Sequence, residues 1–210
     1  MARKLSLIED QFDFNFTRNW FLNRNLSTFR EYVYPEWKDK PISYLEIGVF
    51  EGMSMVWMMQ RILTHKDSFG VGVDPWLMTN KATNEFMEEV MDRAIHNTST
   101  FDRCTLIRSN SVEVLTKMIR TKNGFLGIKA NSLDLCMIDG NHHELGVLDD
   151  AQRVLQLLRV GGWVLFDDVE NRLTKVAHVK QGLSTFTDTH KDEIKLLWKH
   201  RYMECYEKVA

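Results

Sequence analysis

The sequence Ser43-Tyr-Leu-Glu-Ile-Gly-Val-Phe-Glu-Gly-Met-Ser54 contains an apolar run, a turn with two glycines and the start of a second apolar run. Tyr44–Ile47 predicts a short buried strand, and Met53–Ile62 predicts a helix. Gly48 and Gly52 lie in the turn between them. Such a turn directs backbone N–H groups towards a ligand at the helix N-terminus, and glycine allows a close approach. The stretch therefore predicts a ligand-binding strand–turn–helix unit.

The spacing of this turn argues against two common phosphate-binding loops. It contains no Gly-Lys-Ser/Thr, so it is not a P-loop, and Glu46 stands where a dinucleotide-binding turn begins with glycine. Glu46-x-Gly48-x-x-x-Gly52 instead resembles motif I of the class I S-adenosylmethionine-dependent methyltransferases. The acid suits the ammonium of that cofactor, whereas the glycine N–H groups and the Ser54 hydroxyl suit its carboxylate.

Composition limits the possible functions. A chain of 210 residues fits one domain, and a formal net charge of -2 gives no electrostatic footprint for nucleic acid. No run approaches the roughly 18 apolar residues of a membrane span, and no signal-peptide apolar region follows the first residues. Three cysteines without metal-type spacing indicate reduced thiols. We expect a soluble, cytoplasmic protein that binds neither nucleic acid nor membranes.

Residues 1–40 form a predicted N-terminal helical arm, separate from a domain that spans residues 41–210. The arm is dense in aromatic residues, which are Phe12, Phe14, Phe16, Trp20, Phe21, Phe29, Tyr32, Tyr34 and Trp37. We expect most of these rings to pack on the domain. One or two near the N-terminal end of the arm could instead cap a cleft and contact a ligand.

The second predicted strand, Phe69–Asp74, ends in an acid about 20 residues after the glycine turn. An acid at this place suits a ribose diol, so Asp74 is a predicted cofactor ligand. Trp76 either borders the adenosine pocket or packs in the core. The third strand, Cys104–Ile107, precedes Asn110, which can bind an adenine edge.

Ser111 is a predicted N-cap for the helix Val112–Ile119, and we also count it among the cofactor-binding residues. Another helix is predicted over Asn84–His96. The fourth strand, Ser132–Ile138, is followed by Asp139 and then by a helix over Leu145–Leu158.

Gly161-Gly162 is predicted to end that helix, and Trp163–Phe166 forms the fifth strand, which stops at Asp167-Asp168. A tail helix is expected around Val176–Phe186, followed by two strands, Glu193–Trp198 and Tyr202–Glu207. Alternating apolar strands and helices predict a Rossmann-like three-layer α/β sandwich. Its seven-stranded sheet is mostly parallel and closes with an antiparallel pair.

Asp139, Asp167 and Asp168 follow the carboxyl ends of the fourth and fifth strands, which are neighbours in the class I fold. Strands about 4.8 Å apart would bring these acids together. Clustered carboxylates repel unless a cation lies among them. Mg²⁺ is the first candidate, and Mn²⁺ or Ca²⁺ follows. The alternative is that one acid, such as Asp168, points away and caps the next segment.

The segments Ile138–Asp150, Leu157–Gly162 and Phe166–Asp168 resemble the metal-dependent O-methyltransferases, particularly the sugar-modifying macrocin and mycinose-type group; catechol O-methyltransferase is more distant. The resemblance implies that Asp139, Asp167 and Asp168 bind a divalent metal, and that His142 is the general base. Asp139 also counts among the catalytic and cofactor-binding residues, and His143 is the second choice as base.

This sequence departs from the family pattern at two places. Asn141 stands where many relatives have a second Asp, so this residue cannot act as a base. Glu144 and Leu145 replace an aromatic–Glu pair.

These patterns together predict methyl transfer from S-adenosylmethionine to a sugar hydroxyl, in a small-molecule or glycan acceptor such as a deoxyhexose. A homo-oligomer is possible. The alternatives are a catechol-like O-methyltransferase, a nicotinamide oxidoreductase and a non-catalytic cofactor-binding scaffold. The missing first glycine and the three acids disfavour the oxidoreductase. A scaffold has no need to hold repelling charges together.

Overall fold

The computed structural model describes residues 13–77, 81–169 and 177–210. They form an α/β sandwich around one seven-stranded sheet. Its strands are β1 (Ser43–Ile47), β2 (Phe69–Asp74), β3 (Cys104–Arg108), β4 (Leu133–Ile138), β5 (Leu158–Phe166), β6 (Ile194–His200) and β7 (Met203–Lys208). The helices are α1 (residues 20–37), α2 (Met53–Arg61), α3 (Lys81–Thr98), α4 (Ser111–Arg120), α5 (Glu144–Leu157) and α6 (Ala177–Thr189).

The sheet has the order β3-β2-β1-β4-β5-β7-β6. The first five strands in this order are parallel, whereas β7 is antiparallel to both β5 and β6. This arrangement confirms the predicted Rossmann-like sandwich and its closing antiparallel pair. It also makes β1 and β4 neighbours at the point where the strand order reverses, which is where open α/β sheets bind their ligands.

The sheet is buried on both faces, as its near-continuous apolar strands predict. In β1, Leu45 and Ile47 face a core that α4, α5 and α6 complete. Tyr44, the residue before Leu45, faces the opposite core with α1 and α2. The period of two in the side-chain directions therefore places Glu46 on the α1 and α2 side.

The sequence prediction was wrong about Gly161-Gly162, which lies inside β5 and does not end α5. Leu158 pairs with Leu133 and Trp163 with Leu135, so the residues between them form a bulge. A Cβ on Gly162 would lie 2.8 Å from the Leu133 carbonyl oxygen. Glycine is thus required by the bulge, and β5 begins earlier than predicted. The predicted start of the tail helix, Val176, lies outside the described residues.

The N-terminal arm packs on the domain through α1, as expected for most of its rings. Phe21, Phe29 and Trp57 of α2 form an edge-to-face cluster with centroids 5.1–5.9 Å apart. Trp20 differs, because it is 55% exposed and lies against Phe50 of the glycine turn. Phe12 lies outside the described residues. Among the helices that the structure describes, none is long and apolar enough to cross a membrane.

Two stretches of α1, Phe21–Asn25 and Phe29–Val33, are π-helical. In each of them the N–H of the following residue bonds the carbonyl oxygen five residues earlier. Pro35 lies in the last turn and has no N–H, so the regular ladder is interrupted there. Single π turns of this kind are frequently found at functional sites.

Gly48→Ala should destabilise the fold by about 3 kcal/mol or more, because the new Cβ would lie 2.1 Å from the Asp139 carbonyl oxygen. Gly52→Ala is the matched control, since Gly52 has a similar φ of +79° but the nearest atom to its Cβ is Thr98 Cγ2 at 3.4 Å. That variant should lose only about 1–2 kcal/mol. Urea unfolding measures both values, and equal losses would contradict the steric explanation.

Candidate active site

The glycine turn packs tightly against the end of β4. Gly48 has φ +87°, and the space for its side chain is filled by the backbone of Asp139 and Gly140. Its N–H donates to the Val73 carbonyl oxygen at 2.9 Å, and the Gly52 N–H donates to that of Val49 at 2.9 Å. The expectation that these two N–H groups are free ligand donors was therefore wrong. In this structure Gly48 allows close backbone packing, whereas Gly52 supplies the left-handed conformation before α2.

Glu46 and Ser54, both predicted to bind the cofactor, are hydrogen-bonded to each other. The Ser54 hydroxyl donates to one Glu46 oxygen, and the Tyr44 hydroxyl donates to the other at 2.9 Å. Burial raises the pKa of Glu46 to about 8, although these two hydrogen bonds oppose the shift. At neutral pH the side chain is thus mainly protonated beside the glycine turn.

Asp74 holds the glycine turn in place. Its Oδ2 accepts hydrogen bonds from the N–H groups of Val49 and Phe50 at 2.9 and 3.0 Å, and its Oδ1 accepts one from Trp76 N–H at 2.7 Å. The acid expected to bind the ribose therefore also fixes the turn next to β1. Binding of ribose by Asp74 stays a prediction.

The indole of Trp76 is buried with Val49, Met87, Val90 and Ala94, and its Nε1 donates to the Phe50 carbonyl oxygen at 2.9 Å. Of the two alternatives for Trp76, this environment supports packing. A contact between Trp76 and the cofactor stays a prediction.

The N-cap of α4 is Asn110, where the sequence predicted Ser111. Asn110 has an extended backbone, and its Oδ1 accepts a hydrogen bond from Val112 N–H at 2.9 Å. Ser111 is already the first residue of the helix. Burial raises the pKa of Asp150 to about 6, and the Ser111 side chain opposes this shift. Asn110 uses only its oxygen in the cap, so its exposed amide can still bind an adenine edge, as predicted.

Asp139, His142 and Asp168 converge beyond the ends of β4 and β5. One ligand atom from each side chain lies within 4.8 Å of the other two. His142 Nε2 is 3.4 Å from Asp139 Oδ1 and 3.9 Å from Asp168 Oδ2. The hydrogen bond to Asp139 raises the pKa of His142, whereas burial raises the pKa of Asp139. The three side chains form what we call the acid cluster.

Asp167, the third predicted metal ligand, belongs to the same edge but bonds to the protein. Its Oδ2 accepts a hydrogen bond from Asn25 Nδ2 at 2.6 Å, and its Oδ1 accepts one from the Asp168 N–H at 2.8 Å. Burial raises the pKa of Asp167 to about 8, with further contributions from Asp139 and Asp168. Asp168 has φ +57°, a left-handed backbone conformation that residues other than glycine seldom adopt.

The sequence did not identify the residues of the N-terminal arm that meet this site. Arg24 donates to Asp168 Oδ1 at 2.7 Å, and Asn25 donates to Asp167. Both contacts join residues more than 140 positions apart, so no local pattern could indicate them. The only available signal was the aromatic arm itself, which predicted packing close to a cleft.

Glu51 is a second feature that the sequence did not indicate. This buried acid of the glycine turn accepts hydrogen bonds from the Thr17 N–H and hydroxyl at 2.8 and 2.6 Å, and from Arg93 Nε at 2.8 Å. Asn97 donates to the Glu51 carbonyl oxygen at 2.9 Å and bonds the backbone of Asn15. The arm is thereby fastened to the same turn that Asp74 holds from the other side.

The loop between β4 and α5 presents His142 to the acids. Asn141 Oδ1 accepts a hydrogen bond from His143 N–H at 3.0 Å, which stabilises the turn before the helix. A Cβ on Gly146 would lie 2.4 Å from the Asn141 side chain, so these residues pack closely. His143 is the N-cap of α5, and its ring lies 6.1 Å from that of His178. His142, and not His143, is therefore next to the carboxylates.

The donor set fits a hard divalent cation. Carboxylate oxygens are the ligands that Mg²⁺ and Mn²⁺ prefer, and a cation would relieve the repulsion among Asp139, Asp167 and Asp168. Asn25 Oδ1 is a buried acceptor without a hydrogen-bond partner among the described residues, so the site also has an unused oxygen.

Residues 45–169 match the profile of a methyltransferase-domain family, and the chain belongs to that family. The match runs from β1 through the glycine turn and both acid-bearing strand ends. The chain thus contains a methyltransferase domain of the class I fold, and S-adenosylmethionine is the cofactor expected for such a domain. A nicotinamide oxidoreductase is not supported.

A curated relative, an uncharacterized protein of Acanthamoeba polyphaga mimivirus, is 28% identical over 132 residues. These residues are 62% of this chain and 52% of that protein, so the chain spans about half the length of this relative.

Solved structures show the same fold at low sequence identity. A candidate rRNA methylase from Clostridium thermocellum has a TM-score of 0.63 and 11% identity, covering 89% of this chain and 97% of its own. A candidate O-methyltransferase from Klebsiella pneumoniae has a TM-score of 0.52 and 17% identity, and the alignment covers 80% of this chain and 73% of that structure. At these identities the similarity establishes the fold alone.

The raised pKa of Glu46 makes stability depend on pH. Because the folded-state value of about 8 exceeds the unfolded value of about 4.3, the folded protein retains a proton that the unfolded chain releases. The free energy of unfolding should therefore fall as pH rises from 5 to 8. Glu46→Gln mimics the neutral acid and should reduce this fall by on the order of 3 kcal/mol.

Chemical unfolding at several pH values measures the effect. Glu88→Gln, which changes an exposed acid paired with Arg108, is the control and should leave the slope unchanged. The same slope in Glu46→Gln and the wild-type protein would show that Glu46 is already charged in the folded state.

Proposed function

We propose that the protein transfers the methyl group of S-adenosylmethionine to a hydroxyl of a sugar, in a glycan or a glycosylated metabolite such as a deoxyhexoside. The proposal rests mainly on the acid cluster, whose ligand atoms lie within 4.8 Å of one another beside the glycine turn of a methyltransferase domain. A neutral sugar hydroxyl is a poor nucleophile, so it needs both a base and electrostatic assistance.

Asp139 and Asp168 would hold a divalent cation, Mg²⁺ or Mn²⁺, with Asp167 as the third carboxylate. When bound, the cation would lower the pKa of a coordinated substrate hydroxyl and orient two vicinal oxygens. Asp139 connects the two halves of the site, because its backbone touches the glycine turn and its side chain faces His142. Of the cofactor contacts predicted from the sequence, Asp74 would bind the ribose and Asn110 an adenine edge.

His142 acts as the general base. The hydrogen bond to Asp139 raises the pKa of His142. Histidine is the side chain that most often accepts a proton in general-base catalysis. The imidazole of His142 accepts the hydroxyl proton, the new O–CH₃ bond forms and the S–CH₃ bond breaks with its electron pair remaining on sulfur. The products are the methyl ether and S-adenosylhomocysteine.

A sugar acceptor agrees with the exposed aromatic surface above the turn. The Trp20 ring lies 4.8 Å from the Phe50 ring, and the Arg18 guanidinium lies 5.9 Å from the Trp20 ring. Exposed rings with a neighbouring polar group suit the apolar face and the hydroxyls of a pyranose. Trp20 and Arg24 both belong to α1: the Trp20 ring contacts Phe50 of the glycine turn, and Arg24 contacts Asp168.

Methyl transfer to a panel of rhamnosides, other glycosides and catechols, with Mg²⁺ or with EDTA, tests the proposal. We expect transfer to a glycoside that EDTA abolishes and Mg²⁺ restores, and Asp139→Asn should lower the rate at least 100-fold. Undiminished transfer in EDTA would remove the cation from the mechanism. Preference for catechols would reassign the acceptor, and S-adenosylmethionine binding without any transfer would favour a scaffold.

His142→Ala should lower kcat at pH 7 by about 100-fold or more, because the acceptor proton loses its base. His143→Ala is the matched control, since His143 lies at the adjacent helix N-cap away from the acids, and it should keep the rate within about twofold. Steady-state kinetics with the best glycoside measures both. Full activity in His142→Ala would exclude this residue, and a loss in His143→Ala alone would transfer the role to His143.

A further inference from the structure

We infer that Asn25 is a positioning residue of the cation site: its Nδ2 fixes the Asp167 carboxylate, and its Oδ1 accepts a hydrogen bond from a water molecule of the cation's hydration shell. This inference rests on the divalent cation proposed above. It assigns a role to the N-terminal helix α1, which lies outside the part of the chain that matches the methyltransferase family.

The contact between Asn25 and Asp167 is short and buried. Asn25 is 5% exposed, and Asp167 is 7% exposed. The Nδ2–Oδ2 distance is 2.6 Å, while the other Asp167 oxygen accepts the Asp168 N–H at 2.8 Å. Each carboxylate oxygen thus has one donor from the protein, so the carboxylate plane is fixed from two directions.

The other end of the Asn25 amide has no partner. Among the described residues, none donates a hydrogen bond to its Oδ1, although this atom is buried. Reversing the amide would place its oxygen against the Asp167 carboxylate, so the observed orientation is the favourable one. A buried acceptor without a donor is unfavourable. The site therefore lacks one donor next to its acids.

A hydrated cation supplies this missing donor. Mg²⁺ in proteins keeps several of its water ligands, and each of them can donate hydrogen bonds to neighbouring oxygens. Because Asn25 Nδ2 already touches Asp167, its Oδ1 can lie no more than about 5 Å from the same carboxylate. A water on a cation beside Asp167 is within reach at such a separation.

The π-helical turn explains how one helix presents two neighbouring residues to two neighbouring acids. Consecutive residues of a regular α-helix diverge by about 100°. Arg24 and Asn25 lie in the wider Phe21–Asn25 turn, in which the divergence is smaller. Arg24 bonds Oδ1 of Asp168, and this leaves Oδ2 on the side of His142. Asn25 donates a hydrogen bond to Oδ2 of the neighbouring Asp167.

The inference is tested by titrating the protein with Mn²⁺ alone and measuring free Mn²⁺ by electron paramagnetic resonance. Asn25→Leu keeps the volume but removes both polar ends, and Asn25→Ala is a second variant in case the first does not fold. We expect the Mn²⁺ dissociation constant to rise about tenfold in each. Calorimetry should show that the affinity for S-adenosylhomocysteine is unchanged within about twofold.

Thr28→Val is the matched control. Thr28 is also buried in α1, but its hydroxyl bonds His200 Nδ1 at 2.8 Å and is not in contact with the acids. This variant should bind Mn²⁺ like the wild-type protein. Wild-type affinity in both Asn25 variants would overturn the role of Asn25 while leaving the cation site intact. A wild-type protein that binds no Mn²⁺ would overturn the cation site itself, and the inference with it.

Discussion

The contact between the backbone of Gly48 and that of Asp139 and Gly140 joins the two halves of the site. A side chain at position 48 would occupy the same space as the Asp139 carbonyl group. Without it, the turn after β1 lies directly against the end of β4, and the Asp139 N–H bonds the Ile47 carbonyl oxygen at 2.8 Å. The proposed donor site and the acid cluster are therefore neighbours because one residue lacks a Cβ.

The sequence predicted the parts of the structure that depend on local patterns. Apolar runs located the parallel strands, and the strand ends located Asp74, Asp139 and Asp167, because parallel strands end at the same edge of a sheet. A choice between two neighbouring residues for the same role was harder to predict. Asn110 and Ser111 are both good N-cap residues, and only the backbone conformation shows that Asn110 is the N-cap of α4. Gly161-Gly162 has the composition of a helix terminator but fills a bulge.

Contacts between distant parts of the chain were beyond prediction from one sequence. Arg24, Asn25 and Glu51 are ordinary polar residues in the sequence, and their importance comes from partners that only the folded topology supplies. These contacts give the N-terminal arm a role beyond packing. The arm is fastened to the glycine turn at one end and to the acids at the other, so it forms a wall of the site and not merely a cover.

The proposed mechanism requires a divalent cation within reach of the sulfonium methyl group. The most direct test is to measure the line width of the ¹³C methyl resonance of labelled S-adenosylmethionine bound to the protein without an acceptor. We predict that Mn²⁺ strongly broadens this resonance in the wild-type protein, and that Asp139→Asn abolishes the broadening while the cofactor stays bound. An unbroadened methyl resonance in a protein that holds both ligands would contradict the claim.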